Sequence, residues 1–133
     1  MSPCPCGSGR PYERCCGPLH AGAPAPDAEA LMRSRYVAYV QDRLDYLRAT
    51  WAPETCPPDL EPGPPGLRWL GLEVRRHVAI DAEHATVEFV ARSKLGGRAH
   101  RLHERSRFER RLGRWLYVAG DLLQPAHPSE KTP

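Results

Sequence analysis

The stretch "TVEFVARSKLGGRAHRLHERSRF" (residues 86–108) predicts two β-strands that fold back on one another. In its first half Val87, Phe89 and Ala91 occupy alternate positions, and in its second half every other residue from 101 to 107 is basic. A repeat of two is typical of strands that bury one face. Because "LGGR" between the halves is a turn signal, we predict an antiparallel hairpin here.

The segments that follow and precede this hairpin extend it. Residues 70–80 keep the repeat of two with one interruption at Arg76, and "RWLYVAGDLL" (114–123) supplies a last strand. Turn signals at "DAEH" and "LGR" separate these runs from the hairpin. We therefore predict an antiparallel meander.

Helices are predicted before the sheet. Asp27 is a suitable N-cap, and apolar residues then recur at the three-and-four spacing of an amphipathic helix. A break near Gln41–Asp42 gives two helices, 27–40 and 43–51. The proline-rich segment 52–66, with six prolines and two glycines, cannot be regular helix or central strand. This order predicts an α+β fold, with N-terminal helices packed on one face of a curved antiparallel sheet.

The length of 133 residues suits one ordinary domain with a small appendage. We predict a cysteine segment at 1–20, a linker "AGAPAP" at 21–26, the α+β domain at 27–123 and a disordered tail at 124–133. The sequence has no apolar run of membrane-spanning length, and its first residues do not resemble a signal peptide. We therefore expect a cytoplasmic protein without a membrane partner, whose thiols stay reduced.

Four of the five cysteines lie within "CPCGSGRPYERCC" (residues 4–16). Four thiolates satisfy tetrahedral Zn²⁺ completely, and the Gly-Ser-Gly turn lets the second pair of cysteines meet the first. Because four cysteines leave no open position for water, we predict one structural zinc ion, not a catalytic one. The predicted ligands are Cys4, Cys6, Cys15 and Cys16.

Other uses of the thiols remain open on the sequence alone. Copper(I) also accepts four thiolates, and His20 is a possible substitute for one cysteine. A redox sensor that releases its metal on oxidation is a further alternative. Cys56, among the prolines, is interpreted as an incidental thiol.

The cysteine segment closely resembles the SEC-C motif, the zinc-binding tail of the preprotein translocase motor SecA. That motif reads C-x-C-G-S-G, a basic residue, a tyrosine, and a C-H or C-C pair; here the pair is Cys15-Cys16, so a thiol replaces the histidine of the SecA tail. The resemblance implies that the four cysteines bind zinc. Since the SecA motif serves contacts with a chaperone and the ribosome, it also implies a protein or ribosomal partner.

The remainder of the chain is similar to the bacterial YchJ-like family. The similarity is carried by "EALMRSRYVAYV", "DYLRATW", "WLGLEV", "VEFVAR", "HERSRFER" and "GRWLYVAGD", and spans about residues 4–121. It implies a cone-shaped fold of the nuclear transport factor 2 superfamily, which agrees with the helix-then-sheet pattern. It implies no particular activity.

Two polar residues fall on the apolar strand face between Leu102 and Phe108, namely Glu104 and Ser106. Arg35 likewise falls on the apolar stripe of the first long helix. A buried carboxylate is costly unless it is paired, so one interpretation is a structural ion pair between Arg35 and Glu104. The alternative is a ligand cavity with Glu104 and Ser106 on its floor. Its predicted walls are Trp51, Phe89 and Tyr117.

No Asp–His pair is positioned by sequence for acid–base catalysis, so the cavity is more simply structural than catalytic. Arg101, Arg105 and Arg107 share a basic strand face that could follow a phosphate backbone. Net charge is only +3, and arginine provides 17 of the 19 basic residues. We interpret this face as a solvated surface and nucleic acid as a weaker partner.

The sequence therefore favours a non-catalytic adaptor whose zinc knuckle docks a protein or ribosomal partner. The main alternative is a small-molecule-binding cone, a lyase, isomerase or hydrolase centred on Glu104.

Overall fold

A computed structural model describes residues 3–123 of the chain; the tail predicted to be disordered, 124–133, lies outside this range. Within residues 3–123, no helix combines the length and the apolarity needed to cross a membrane. The elements in chain order are a short 3-10 helix Tyr12–Arg14, the helices α1 Cys16–His20, α2 Ala28–Val40 and α3 Leu44–Ala49, and the strands β1 Arg68–Ala79, β2 His84–Leu95, β3 Arg98–Arg111 and β4 Arg114–Leu122.

The strands form one antiparallel sheet in the order β1-β2-β3-β4, which is the predicted meander. The central hairpin sets Phe89 of β2 opposite Glu104 of β3. The interruption of the repeat at Arg76 corresponds to a β-bulge, since the pairing of β1 with β2 shifts between Val74 and Arg76. A bulge inserts one unpaired residue, which reverses the alternation of faces beyond it.

The two predicted helices are present, and the break between them is real. The Asp27 carboxylate accepts a hydrogen bond of 2.7 Å from the Ala30 N–H, as an N-cap does. Asp42 has a φ of 53°, which interrupts the helical backbone between α2 and α3. These features confirm the α+β order of helices followed by a sheet.

Helix α3 begins one residue later and ends two residues earlier than the predicted 43–51. The Tyr117 N–H donates to the Thr50 carbonyl, and the Ala52 N–H donates to the Tyr117 carbonyl, both at 2.8 Å. Residues 50–52 thus pair with the edge strand β4 instead of continuing the helix. The proline-rich segment after them contains no helix or strand within the described residues.

The core lies between α2 and the concave face of the sheet. Three of the four clustered cysteines belong to this core, because Cys4, Cys6 and Cys16 are buried within the same apolar cluster as α2 and β2. The cysteine segment therefore packs directly on the α+β domain. The other buried members of the core are Ala28, Leu31, Met32, Tyr36, Val37, Ala85, Val87, Phe89, Ala91 and Phe108.

Candidate metal centre and sheet cavity

The first pair of cysteines lies in a tight backbone loop. The Cys4 N–H donates to the Arg10 carbonyl at 2.8 Å, and Pro3 and Pro11 form an antiparallel bridge. Gly7 and Gly9, at φ values of 81° and 88°, provide the left-handed backbone that closes this loop. The turn predicted from the Gly-Ser-Gly sequence is therefore present.

The 3-10 helix Tyr12–Arg14 then returns the chain so that the second cysteine pair faces the first. The four Sγ atoms all lie within 4.8 Å of one another. Cys15 Sγ is 3.5 Å from Cys6 Sγ and 3.9 Å from Cys16 Sγ. A zinc tetrahedron with bonds of about 2.3 Å has edges of about 3.8 Å, so the sulfur positions fit this metal.

The electrostatics of the thiols favour a cation. Burial raises the pKa of the Cys4 thiol, which backbone N–H groups of Cys6 and Cys16 partly offset. The hydrogen bond that Cys6 and Cys16 share lowers the pKa of the Cys6 thiol and raises that of Cys16. Thiols this close cannot all ionise without a positive ion between them, whereas a divalent metal allows all four to do so.

Groups around the cluster are placed to support thiolates. Ser8 Oγ lies 3.1 Å from Cys15 Sγ, and Arg10 Nη2 lies 3.8 Å from the same sulfur. Arg33 of α2 donates to the Cys6 carbonyl at 2.7 Å, which ties the loop to the helix. Such outer contacts orient metal ligands and spread their charge.

His20 is not part of the cluster. Its Nδ1 lies 2.7 Å from the Tyr12 hydroxyl, and its Nε2 lies 2.8 Å from the Ser34 carbonyl. Both ring nitrogens are therefore engaged, so the alternative in which His20 replaces a cysteine is not supported. The imidazole instead joins the cysteine segment to α2.

A second feature, the sheet cavity, lies between α2 and the concave face of β1–β4. Its volume is about 290 Å³. The structure places Arg35, Phe89, Glu104, Ser106 and Tyr117 around it, five of the six residues named from the sequence. Its other lining residues are Met32, Tyr36 and Tyr39 of α2, and Trp69, Ala91, Leu102 and Phe108 of the sheet.

Trp51, the sixth predicted residue, does not line the cavity. It leaves α3 and bridges to Tyr117, and its indole packs edge-on against the Tyr117 ring at 5.1 Å between centroids. Because the chain at 50–52 pairs with β4, the indole lies behind the cavity wall. There its Nε1 is the one buried side-chain polar atom within residues 3–123 that lacks a hydrogen-bond partner.

The predicted ion pair between Arg35 and Glu104 is not formed. Arg35 Nη1 donates to the Leu47 carbonyl at 2.9 Å and to Thr50 Oγ1 at 2.7 Å. Leu47 is in the last turn of α3, where carbonyls lack partners within the helix, so Arg35 satisfies a helix end. Its guanidinium also lies 4.9 Å from the centre of the Trp51 ring and 4.7 Å from that of Tyr117.

Glu104 has a different partner, since its carboxylate accepts a hydrogen bond of 2.7 Å from Ser106 Oγ. Tyr117 stands between the two charged groups. Burial and then the Glu104 charge raise the pKa of the Tyr117 phenol to about 12. Arg35 and Glu104 thus face one cavity without neutralising each other.

Several cavity residues were absent from the sequence-based list. Met32, Tyr36 and Tyr39 belong to the apolar stripe of the first predicted helix, and Trp69 directly precedes the predicted strand 70–80. Tyr36 and Trp69 meet edge-on at 5.6 Å between centroids. The helical and strand repeats indicate which residues face inward, but they do not indicate where packing leaves a space.

A larger and more open groove, the linker groove, lies between the segment 19–25, α3 and β4. Its volume is about 600 Å³. Its lining includes Leu19, His20, Arg43, Tyr46, Arg114 and Trp115. No pattern in the sequence predicted it, because its walls come from three distant segments.

The basic strand face is exposed and partly neutralised. Arg101, Arg105 and Arg107 are exposed to solvent. Arg107 pairs with Asp121 of β4 at 2.5 Å, and His103 Nε2 lies 2.7 Å from the Glu88 carboxylate. Acidic neighbours on adjacent strands thus interrupt the basic row.

Comparison with known proteins gives two family matches. Residues 27–120 match the model of the YchJ middle domain, which is nuclear transport factor 2-like, and residues 2–18 match the SEC-C motif. A UPF0225 protein of Methylibium petroleiphilum is 64% identical over 126 residues, covering 92% of this chain and 90% of that protein. A UPF0225 protein of Ralstonia nicotianae is 62% identical over 131 residues, covering 90% of each.

Two solved structures share the fold. The solution structure of a SEC-C motif containing protein from Rhodopseudomonas palustris aligns with a TM-score of 0.78 at 34% identity, covering 92% of this chain and 100% of that chain. The crystal structure of a SEC-C motif containing protein from Psychrobacter arcticus gives 0.73 at 25% identity, covering 94% and 85%. The likeness spans both the cysteine segment and the sheet.

Proposed function

This chain belongs to the YchJ-like family, and on that premise we propose that it is a non-catalytic, zinc-containing adaptor whose cysteine segment docks a protein or ribosomal partner. The observation that carries the proposal is the closed set of four thiols, three of them buried, at mutual distances that suit a tetrahedral ion. Cys4, Cys6, Cys15 and Cys16 would hold the metal, and the metal would supply rigidity. With four sulfurs bound, zinc has no position left for a reacting water.

The loop that the metal would order is exposed and basic at its tip. We define the knuckle loop as residues 7–14. It presents Arg10, Glu13 and Arg14 to solvent, while the cysteines on either side point into the core. A rigid loop binds at a lower entropic cost than a flexible one, and exposed arginines suit an acidic partner surface. Since all five cysteines are free thiols in the structure, a reducing compartment such as the cytoplasm is part of the proposal.

The test combines metal content with ribosome co-sedimentation. Untagged protein purified under reducing conditions should hold one zinc per chain, and the Cys15→Ser, Cys16→Ser variant should hold none. Zinc-loaded protein should sediment with ribosomes, and reversing the exposed loop charge that does not contact a cysteine, with Arg14→Glu, should weaken this while zinc is retained.

The matched control is Arg101→Glu with Arg105→Glu, which reverses two exposed arginines on β3. Co-sedimentation that survives in the knuckle-loop variant but is lost in this control would contradict docking through the loop. It would instead support the basic strand face as a nucleic-acid contact.

A second candidate function is small-molecule binding in the sheet cavity, and the 290 Å³ space, lined by two charged groups that do not pair with each other, favours it. No histidine or aspartate is among the lining residues. The other proton-bearing groups of the lining are Arg35 and tyrosines, and the pKa of the Tyr117 phenol is raised to about 12, so this set is better suited to hold a ligand than to transfer protons near neutral pH. Under this candidate the cavity binds a small molecule without converting it, and the alternative of a lyase, isomerase or hydrolase is less favoured.

A further inference from the structure

The sheet cavity contains a buried cation that lacks an acidic partner. Arg35 is 5% exposed, and within residues 3–123 the structure gives it no carboxylate within ion-pair distance. The two hydrogen bonds that its guanidinium makes, to the Leu47 carbonyl and to Thr50 Oγ1, both engage Nη1. Burial lowers the pKa of this guanidinium, and the faces of the Trp51 and Tyr117 rings lie next to it. A buried charge of this kind is stabilised when a counter-ion reaches it.

The same cavity contains a carboxylate of opposite sign. Glu104 receives one hydrogen bond, from Ser106, and its carboxylate packs against the backbone of Gly120. That position is beside the Tyr117 hydroxyl, because a Cβ on Gly120 would meet both the Glu104 carboxylate and the Tyr117 Oη. Arg35 lies over the face of the same tyrosine ring. Arg35 thus lies at the face of the Tyr117 ring, and Glu104 lies on the side of the Tyr117 hydroxyl.

The rest of the lining is apolar and largely aromatic. Tyr36, Tyr39 and Trp69 form one wall, and Phe89, Leu102 and Phe108 form the facing one. A volume of about 290 Å³ is at the small end of the range for ligand pockets. It suits a molecule of roughly a dozen non-hydrogen atoms, in which an apolar group fills the walls.

From these three observations we infer that the sheet cavity binds a small zwitterion of the amino-acid type that carries an apolar or aromatic side group. Arg35 takes its carboxylate, Glu104 with Ser106 takes its ammonium group, and the aromatic walls take its side group. This assignment rests on the second candidate function and adds the ligand class to it. A ligand with both charges pairs with the buried Arg35 and the half-buried Glu104 at once, whereas a ligand with one charge leaves the other residue without an ionic partner.

The experiment uses three probes of nearly the same shape: L-phenylalanine, 3-phenylpropanoate and 2-phenylethylammonium. Each is titrated into the full zinc-loaded chain and followed by ¹H–¹⁵N NMR. L-phenylalanine should bind at least about tenfold more tightly than either singly charged probe. A factor of about ten in affinity corresponds to the weaker hydrogen bonds that charged groups make. The indole signal of Trp69 should move, and that of Trp115, which lines the linker groove, should not.

Matched variants test which residue binds which charged group of the ligand. Glu104→Gln should bring L-phenylalanine and 3-phenylpropanoate to within about threefold of one another, because the group that reads the ammonium is lost. Glu88→Gln, which alters a β2 carboxylate that contacts His103 and does not line the cavity, should leave the preference intact. Arg35→Met should weaken the binding of both L-phenylalanine and 3-phenylpropanoate. If the Arg35→Met variant does not fold, the comparison with Glu104→Gln still tests the assignment.

The outcomes separate the two levels of the inference. If 3-phenylpropanoate binds as tightly as L-phenylalanine in the unmodified protein, the zwitterion assignment is wrong although the cavity binds small molecules. If none of the three probes moves the Trp69 signal at millimolar concentration, both the assignment and the second candidate function are overturned. Neither result affects the zinc adaptor proposal.

Discussion

The hydrogen atom that Gly120 carries in place of a side chain leaves room for the Glu104 carboxylate. A Cβ at this position would overlap that carboxylate and would also lie 3.0 Å from the Tyr117 hydroxyl. We expect Gly120→Ala to displace Glu104 and to lower the free energy of unfolding by about 1–3 kcal/mol, as overpacking does. Urea denaturation followed by tryptophan fluorescence measures this change.

The control for Gly120→Ala is the same substitution in a Glu104→Ala background. With the carboxylate removed, the added methyl group has space, so the second substitution should cost less than about 0.5 kcal/mol. An equal cost in both backgrounds would mean that Gly120 is required for its backbone and not for the room it gives to Glu104.

The His20 imidazole provides a pH-dependent contact between the cysteine segment and α2. The Ser34 carbonyl can only accept, so Nε2 donates to it, and Nδ1 accepts from the Tyr12 hydroxyl. Burial lowers the pKa of the ring from the ordinary 6.5, which favours the neutral form in which Nδ1 is the acceptor. Below about pH 6.5 the unfolded chain takes up a proton that the folded chain resists, so stability falls as pH falls.

We expect the free energy of unfolding to decrease more steeply between pH 7.5 and pH 5.5 in the unmodified protein than in a His20→Gln variant. Urea denaturation at several pH values measures both slopes. Both proteins keep the same four cysteines, so acid effects on metal binding cancel in the comparison. Parallel slopes would show that His20 is not the group that responds.

At the level of the elements, helix α2 positions both the metal ligands and the cavity. Its N-cap Asp27 accepts from the Ala30 N–H, and Arg33 and Arg35 reach the cysteine loop and the sheet cavity from opposite faces.

Asp27→Ala should lower the free energy of unfolding by about 1 kcal/mol. Asp45→Ala, in the first turn of α3 and outside the cap position, serves as the control and should change the stability by less than about half of this value in chemical denaturation.

Elements were predictable where a single repeat governs them. The alternation in β2 and β3, the turn at Gly96–Gly97 and the break at Asp42 follow from local backbone preferences that the sequence expresses directly. The end of α3 did not follow, because it depends on Tyr117 of a distant strand, whose backbone hydrogen-bonds to Thr50 and Ala52 on either side of Trp51. For the same reason the sequence could place Arg35 and Glu104 on inward faces but could not choose their partners.

At the scale of the whole molecule, the cysteine segment and the sheet share one core. Patterning predicted the four clustered thiols, since their chemistry is written in a local motif. It did not predict that Cys4, Cys6 and Cys16 would pack with α2 and β2, because that contact depends on how the chain returns after Ala21. A metal bound by these cysteines would therefore stabilise side chains that are also part of the core.

Metal removal should consequently destabilise the entire described chain and not the cysteine segment alone. At free zinc a thousand times the Kd, the bound metal adds about 4 kcal/mol to the free energy of unfolding. Chelation, or the Cys15→Ser, Cys16→Ser variant, should then lower the Tm by roughly 10–20 °C for a domain of this size. Because the ligands lie in the common core, we expect one cooperative transition with and without metal.

Cys56→Ser is the matched thiol variant for this experiment, since Cys56 lies in the proline-rich segment outside the cluster. It should keep both the zinc and the Tm. Circular dichroism reports the sheet, and the indole NMR signal of Trp69 reports the packing between the sheet and α2. The opposite outcome is that chelation removes the zinc, leaves both signals unchanged and shifts the Tm by less than about two degrees. Such a shift is too small for the loss of metal ligands from the core, so the cysteine segment would then be an independent module. The metal would then stabilise the knuckle loop alone, and the buried cysteines would contribute to the core only as small apolar side chains.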